Sequence, residues 1–442
     1  MVVSRGLEGA GTDALLAYFA RPELNQEIIN LGARVIGSII DWPDWMHRKI
    51  ESLDLLPRER GRRRVSVDCT PPRLQWQDVH GPESGGIAST LVPLTLMAKR
   101  PLQGFDIVDA DGRPIPILGS ASNGLLAAAA ISFLVWMTLE KDLVKVQSLW
   151  PRICDVAVNS SALASLQAEK LLTELNLSGI ATLVIRDLAE CFLLIAVLPA
   201  ESAGVRQVIK YSYHWETGDR ASWFARTLNV TVAGLGLRRF TMSVDIGATD
   251  TARSYHLECL PPEGLVSAGM ELPIDGSGHL QESVRASQVS HAIGHYPLYQ
   301  TPGTQTAVVK FNLDSVGLIA RVFWASVATF ALFGVMVWVP GVYRTLSSSV
   351  DAATALFLFV PALLVALNVR GRENVIVGRL LLPLRTVTIM LSLMLFLGGG
   401  LLVLKVPESL TESLWWVFLG LSGFSTVVTA VGLIRLKVMG RG

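Results

Sequence analysis

VFWASVATFALFGVMVWV, residues 322–339, contains no Lys, Arg, Asp or Glu, and three later stretches share that property: 352–369, 386–404 and 413–434. The hydrocarbon core of a bilayer is about 30 Å thick and an α-helix rises about 1.5 Å per residue, so about 20 apolar residues span it. A helix on the surface of a soluble domain would carry charge along one face. These four stretches carry none, so apolar surroundings must enclose them on every side. The last third of the chain, residues 314–442, is therefore expected to be an all-α four-helix transmembrane bundle, and the lipid bilayer is the first partner.

The charges gather at the ends of these stretches. Residues 1–309 hold 27 Lys and Arg against 32 Asp and Glu, whereas residues 310–442 hold 11 against 5. If both termini share one side, that side holds Lys310, Arg321, Arg370, Arg372, Arg379, Arg385, Arg435, Lys437 and Arg441. The other side holds Arg344 and Lys405, in loops that also carry Asp351, Glu408 and Glu412. Basic loops stay cytoplasmic, so both termini are expected in the cytoplasm of a multi-pass plasma-membrane protein. Residues 1–26 lack the apolar core of a secretory signal, in keeping with that orientation. Trp338, Trp415 and Trp416 are expected at the outer interface. No ionisable residue interrupts the spans, which argues against a polar ion pathway. Small residues such as Ala325, Thr329, Gly420, Gly423 and Ser425 favour close helix packing.

Ahead of the spans the expectation is an α+β soluble region with antiparallel, β-sandwich-like strands. Ile28, Leu31, Val35, Ile36 and Ile39 recur at helical spacing within an expected helix over 12–53. Residues 1–61 then form an N-terminal helical segment and 62–313 a cytoplasmic α+β region. Strands are expected at 62–69, 89–97, 191–200, 206–215, 238–246, 253–260 and 305–313, with 191–200 and 206–215 paired. A hairpin is expected over 105–118, because Asp111-Gly112 tolerates the positive φ of a tight turn. Residues 121–188 read as helical. Within them GLLAAAAISFLVWMTL, residues 124–139, is short for a span and reads as a buried core helix.

The order of RRRVSVD, DADGRPIPIL, IRDLAECFLLIAVLP and SYHLECLPPEGL resembles uncharacterised membrane proteins found widely in actinomycetes. VPALLVALNVRGRENVIVGRLL, residues 360–381, is similar to their membrane segment, whose loop runs closer to R-P-G-E-H than the Arg370-Gly371-Arg372-Glu373-Asn374 found here. The resemblance implies a soluble domain followed by four helices, and no activity.

Chemistry-bearing motifs are sparse. Cys69, Cys154, Cys191 and Cys259 form no CxxC pair, so neither a zinc knuckle nor a redox motif is indicated. His291 and His295 stand four apart, but Gly294 and Pro297 argue against a helix that would align them as metal ligands. His214 and His256 read as sheet residues. There is no GxSxG and no GxxxxGK[ST], and Gly234-Leu235-Gly236 lacks the third glycine of a dinucleotide fingerprint. No catalytic, metal or cofactor residue is nominated. The basic run that includes Arg60, Arg62, Arg63 and Arg64 is a candidate contact for anionic lipid headgroups. Nucleic acid is a poorer fit, since the run stands alone in an acidic region without stacking aromatics. The leading expectation is a membrane-tethered cytoplasmic binding or scaffold module, acting on a protein partner or as a homo-oligomer. Two other classes stay open: an oligomeric pore-forming or effector membrane protein, and an enzyme with dispersed catalytic residues.

Overall fold

Ile28, Leu31, Val35 and Ile36 line the buried side of helix α1 (Gln26–Ile40). The computed structural model describes residues 26–55, 60–74, 89–177, 179–216, 223–246, 251–271, 283–286, 289–294, 305–315, 317–339, 375–404 and 408–441. The helix expected as far as residue 53 ends early. After one short turn, α2 (Trp42–Trp45), the chain becomes strand β1 (Met46–Leu55). Lys49, Glu51, Leu53 and Leu55 point to one side of β1 and are buried, while Arg48, Ile50, Ser52 and Asp54 point to the other. Two charged residues on the buried side disguise the two-residue period of a strand. β2 (Arg60–Cys69) pairs antiparallel with β1 along its length, so the boundary expected at residue 61 falls inside a strand pair.

The remaining elements are β3 (Ser89–Ala98), β4 (Gln103–Val108), α3 (Ser120–Thr138), α4 (Leu143–Val158), α5 (Ser161–Glu174), α6 (Ile180–Glu190), β5 (Cys191–Pro199), β6 (Gln207–Glu216), α7 (Trp223–Gly234), β7 (Phe240–Ile246), β8 (Ser254–Leu260), β9 (Leu265–Glu271), β10 (Ser283–Ala286), β11 (Val289–Gly294), β12 (Gln305–Leu313), α8 (Leu318–Trp338), α9 (Val375–Val403) and α10 (Glu408–Arg441). The strands form a seven-stranded sheet ordered β10-β11-β8-β1-β2-β6-β4, a three-stranded sheet β7-β12-β9 and a two-stranded sheet β3-β5. One pair in the large sheet, β1 with β8, is parallel, a departure from the all-antiparallel expectation. The expected pairing of 191–200 with 206–215 is also not made. β5 is apolar almost throughout and pairs with β3, while β6 alternates and pairs with β2 and β4. A strand buried on both sides belongs between helices, and an alternating one belongs where one face meets solvent. The turn at Asp111-Gly112 forms, with Gly112 at φ +85° and the Asp109 carboxylate accepting the Asp111 and Arg113 amides. Its far arm adds only the isolated bridges Val108–Pro114 and Ile117–Ala196.

One face of the seven-stranded sheet is covered, by two separate cores. Val65, Val67, Cys69, Ile209 and Tyr211 pack with β3, β5 and helices α1 and α3–α6. Leu53, Leu55, Trp215, Tyr255, Leu257 and Cys259 pack with the three-stranded sheet and with the ends of the long apolar helices. α3 is the middle of the first core: Leu125 to Ile131 are all buried, as a helix apolar on every side requires.

Three helices among the described residues are long and apolar enough to cross a membrane: Leu318–Trp338, Ile376–Val403 and Ser409–Val438. They match three of the four expected spans; the span expected at 352–369 lies outside the described residues. α9 and α10, at 29 and 34 residues, extend roughly 43 and 51 Å and so reach beyond the hydrocarbon core. Their overhanging turns carry Val377, Leu380 and Leu436 into the second core beside Ile319 and Val322 of α8. At the far end Phe333 packs between Trp415 and Phe418, 5.7 and 5.3 Å away between ring centroids. Trp415 therefore turns inward at 3% exposure, whereas Trp416 and Trp338 are 52% and 61% exposed. Successive helical residues point about 100° apart, so adjacent tryptophans cannot share one environment.

The mixed α/β region and the helices meet at a tight joint. β12, the middle strand of its sheet, passes through four residues into α8. The Gly234-Leu235-Gly236 segment after α7 wedges between helix ends. A Cβ at Gly234 would overlap the Leu380 carbonyl, and one at Gly432 would overlap the Leu235 carbonyl. Only glycine permits that approach.

Candidate binding face

The uncovered face of the seven-stranded sheet is the most distinctive surface among the described residues. Strand alternation places Arg48, Ser52 and Asp54 of β1 beside Arg62, Arg64, Ser66 and Asp68 of β2. Lys210, Ser212 and His214 of β6 lie on one flank, and Ser254, His256 and Glu258 of β8 on the other. Polar side chains brace one another across it. Ser52 Oγ donates to Glu258 Oε2 at 2.8 Å, Arg62 Nη2 to Ser212 Oγ at 3.0 Å and Arg64 Nη2 to Asp54 Oδ2 at 3.3 Å. Arg206 holds Asp68 through two hydrogen bonds of 2.9 and 2.8 Å, with Arg48 3.6 Å away. These bonds from Arg206, then its charge and that of Arg48, keep the Asp68 carboxyl below the usual carboxylate range despite partial burial. Ser254 Oγ and His256 Nε2 are 2.9 Å apart. The charges are mixed and largely paired, so the face suits a partner recognised by hydrogen bonds rather than by a single sign of charge.

The basic run divides between the two faces of β2. Arg62 and Arg64 are on the open face, and the side chain of Arg60 lies outside the described residues. Arg63 points the other way and is 7% exposed, so in this fold its guanidinium is not presented at the surface. The two-residue period of a strand alone separates it from its neighbours.

Behind the open face, Arg63 joins Lys49 and Glu51 in a buried ionic cluster. Lys49 Nζ is 3.2 Å from Glu51 Oε1 and Arg63 Nη1 is 3.6 Å from Glu51 Oε2, with Lys49 and Glu51 at 1% and 2% exposure. Arg63 Nη1 donates to Tyr213 Oη at 3.4 Å, and its guanidinium lies 5.5 Å from the Trp215 ring centre. Burial pushes the Glu51 carboxyl up. The Lys49 and Arg63 charges and hydrogen bonds from Lys49 and Tyr255 outweigh it and hold the group below its ordinary value. Along the strands the cluster falls between the two cores: Met46 and Val65 on one side belong to the first, Leu53 and Trp215 on the other to the second. Sequence reading missed Lys49 and Glu51. The only alternation in sequence is the short run Ser52 to Leu55, because Ile50 falls on the open side and Lys49 and Glu51 on the buried one.

Burial pushes the thiols of Cys69 and Cys259 up to about 12 and those of Cys154 and Cys191 up to about 11, so all four stay protonated near neutral pH. Among the described residues, no three His, Cys, Asp or Glu side chains stand together as metal ligands. The ring of His214 lies against Gly104 of β4, and the side chain of His291 lies outside the described residues. The buried hydroxyls of Ser326, Thr329, Thr388, Ser392, Ser422 and Thr429 each donate to the carbonyl four residues earlier, which satisfies them within their own helix.

No known protein-family model matches the chain, and no curated protein matches it in sequence. The chain itself has a mixed α/β region with several sheets, followed by three long apolar helices among the described residues.

Proposed function

We propose that this chain is a membrane-tethered binding or scaffold module that holds the open face of its seven-stranded sheet on the cytoplasmic side of the bilayer. The observation that carries this reading is a broad, polar, hydrogen-bonded sheet face joined through a shared core to three candidate spans. Its side chains are braced in place, which lowers the entropic cost of ordering them against a partner.

The path of the helices supports four crossings. α8 and α9 both begin in the core shared with the soluble region and both end in the far core, while α10 returns. Two parallel helices require the chain to come back between them. Residues 352–369 are the uncharged stretch available for that crossing. Four crossings put both termini on one side. The helix ends near the soluble region carry Arg321, Arg379, Arg435 and Lys437, and the distant start of α10 carries Glu408 and Glu412. That bias favours a cytoplasmic soluble region.

Photo-crosslinking residues placed at Ser66 and Lys210, on the open face, and at Lys170, on the helical lobe, test the reading in native membranes. Discrete adducts are expected from the first two positions and not the third, and Arg64→Glu with Asp54→Lys should abolish them. Face positions that yield no adduct beyond the Lys170 control would overturn it.

A further inference from the structure

The joint between the soluble region and the helices sets a definite height on the molecule. The loop at Gly236 touches Ile319 of α8 and Leu436 of α10, and Gly234 meets Leu380 of α9. Arg238, Arg239, Arg321, Arg379, Arg435 and Lys437 all lie within one helical turn of these contacts in sequence. All but Arg239, which is half-buried, are exposed. On the bundle side of this level Trp324, Leu382 and Ile434 are exposed apolar residues, as lipid-facing positions must be. The change from exposed apolar to exposed cationic side chains marks the headgroup layer. Among the described residues, the carboxylates beside these contacts are Glu263, in the turn whose Gly264 touches Val377, and Asp314, whose amide donates to the Gly264 carbonyl. Lys310, just above, is paired with Glu271.

We infer that this belt is a binding surface for the phosphate-bearing headgroups of anionic phospholipids, which collect around the joint. Guanidinium groups suit the site because they present planar, paired donors to phosphate oxygens. Arg238 also donates to Asn229 Oδ1 at 3.3 Å, which holds one of its nitrogens against α7 and leaves the others directed elsewhere. The belt differs from the run at Arg62 and Arg64, whose guanidiniums are engaged on the sheet with Ser212 and Asp54. The inference rests on the membrane reading of the three helices and not on what the open sheet face binds.

Native mass spectrometry of the full-length protein in detergent, with added phosphatidylglycerol or phosphatidylcholine, tests it. The wild type should retain phosphatidylglycerol in preference to phosphatidylcholine. Replacing Arg238, Arg239, Arg321 and Arg435 with Gln should erase that preference, at roughly fivefold per arginine. The corresponding Lys variant should keep part of it, as charge without the paired donors, and Arg152→Gln with Arg186→Gln, on the helical lobe, should leave it unchanged. Equal retention of the two lipids by the wild type would overturn the inference, and so would an undiminished preference in the folded Gln variant. If the Gln variant does not fold, the wild-type comparison still decides, and none of these results bears on the sheet-face reading.

Discussion

Glu51 is one carboxylate between two cations in a place where water does not reach. Removing one member of a buried ionic group strands the others, at a typical cost of about 3–5 kcal/mol. Glu51→Gln is therefore expected to destabilise the protein by that order, and exchanging Lys49, Glu51 and Arg63 together for apolar residues should cost less. Acid should have a related effect. The carboxyls of Glu51 and Asp68 are held below their ordinary values of 4.5 and 3.8 in the folded chain. Their contribution to stability is therefore complete above those values and fades as pH falls through the lower, folded ones. Melting curves of the detergent-solubilised protein from pH 7 to pH 3 should show the wild type weakening at the acid end. Glu51→Gln should start lower and weaken less. A variant as stable as the wild type at neutral pH would contradict the role given to the cluster. The same residues explain a failure of sequence reading. Lys49, Glu51 and Arg63 break the rule that charge lies outside, so β1 was hidden within an apparent helix and Arg63 within an apparent surface run.

At the scale of elements, legibility followed chemistry. The three described spans stand out because a complete absence of charge over about 20 residues has few structural meanings. β2, β5, β6, β8 and β12 were legible from alternation or from short apolar runs. Which strand pairs with which was not, because β1 and β8 meet across a gap that no local pattern records: Ser52 and Glu258, bonded across that pair, are 206 residues apart. The candidate site suffered the same limit, since the open face is assembled from four strands spread along most of the soluble region. Gly234-Leu235-Gly236 invited comparison with a nucleotide loop and proves to be a packing joint. Gly432→Leu would drive a side chain into the Leu235 carbonyl. It is expected to part α10 from α7 and cost about 2 kcal/mol or more through overpacking. The thermal midpoint should drop, while Gly420→Leu, where a Cβ meets nothing within 4 Å, should leave it nearly unchanged. Equal effects at the two glycines would contradict a joint at Gly432.

For the whole molecule, orientation is the property on which the proposed function depends. A single cysteine at Ser347, in a chain whose four native cysteines are replaced, should react with an impermeant maleimide in intact cells. A cysteine at Lys170 should react only after the membrane is opened. The reverse pattern would place the sheet face outside the cell and remove the cytoplasmic reading. Either result would leave untouched the joining of sheet and helices through β12 and α8.

That shared second core has a consequence for how the protein is made. Phe311, Val309 and Ala233 belong to the soluble region, yet the core they occupy is completed by Val322, Leu380 and Leu436 from the helices. Leu436 is synthesised more than 120 residues after β12 (Gln305–Leu313). At about 5–20 residues per second, the ribosome reaches Leu436 about 6–25 s after it completes β12, and throughout that interval part of this core lacks its cover. The domain therefore cannot reach its final stability before α10 is in place. Completion of the fold doubles as a report that insertion has succeeded, and a chain that fails to insert α10 leaves a greasy, unfinished surface for chaperones and proteases to find.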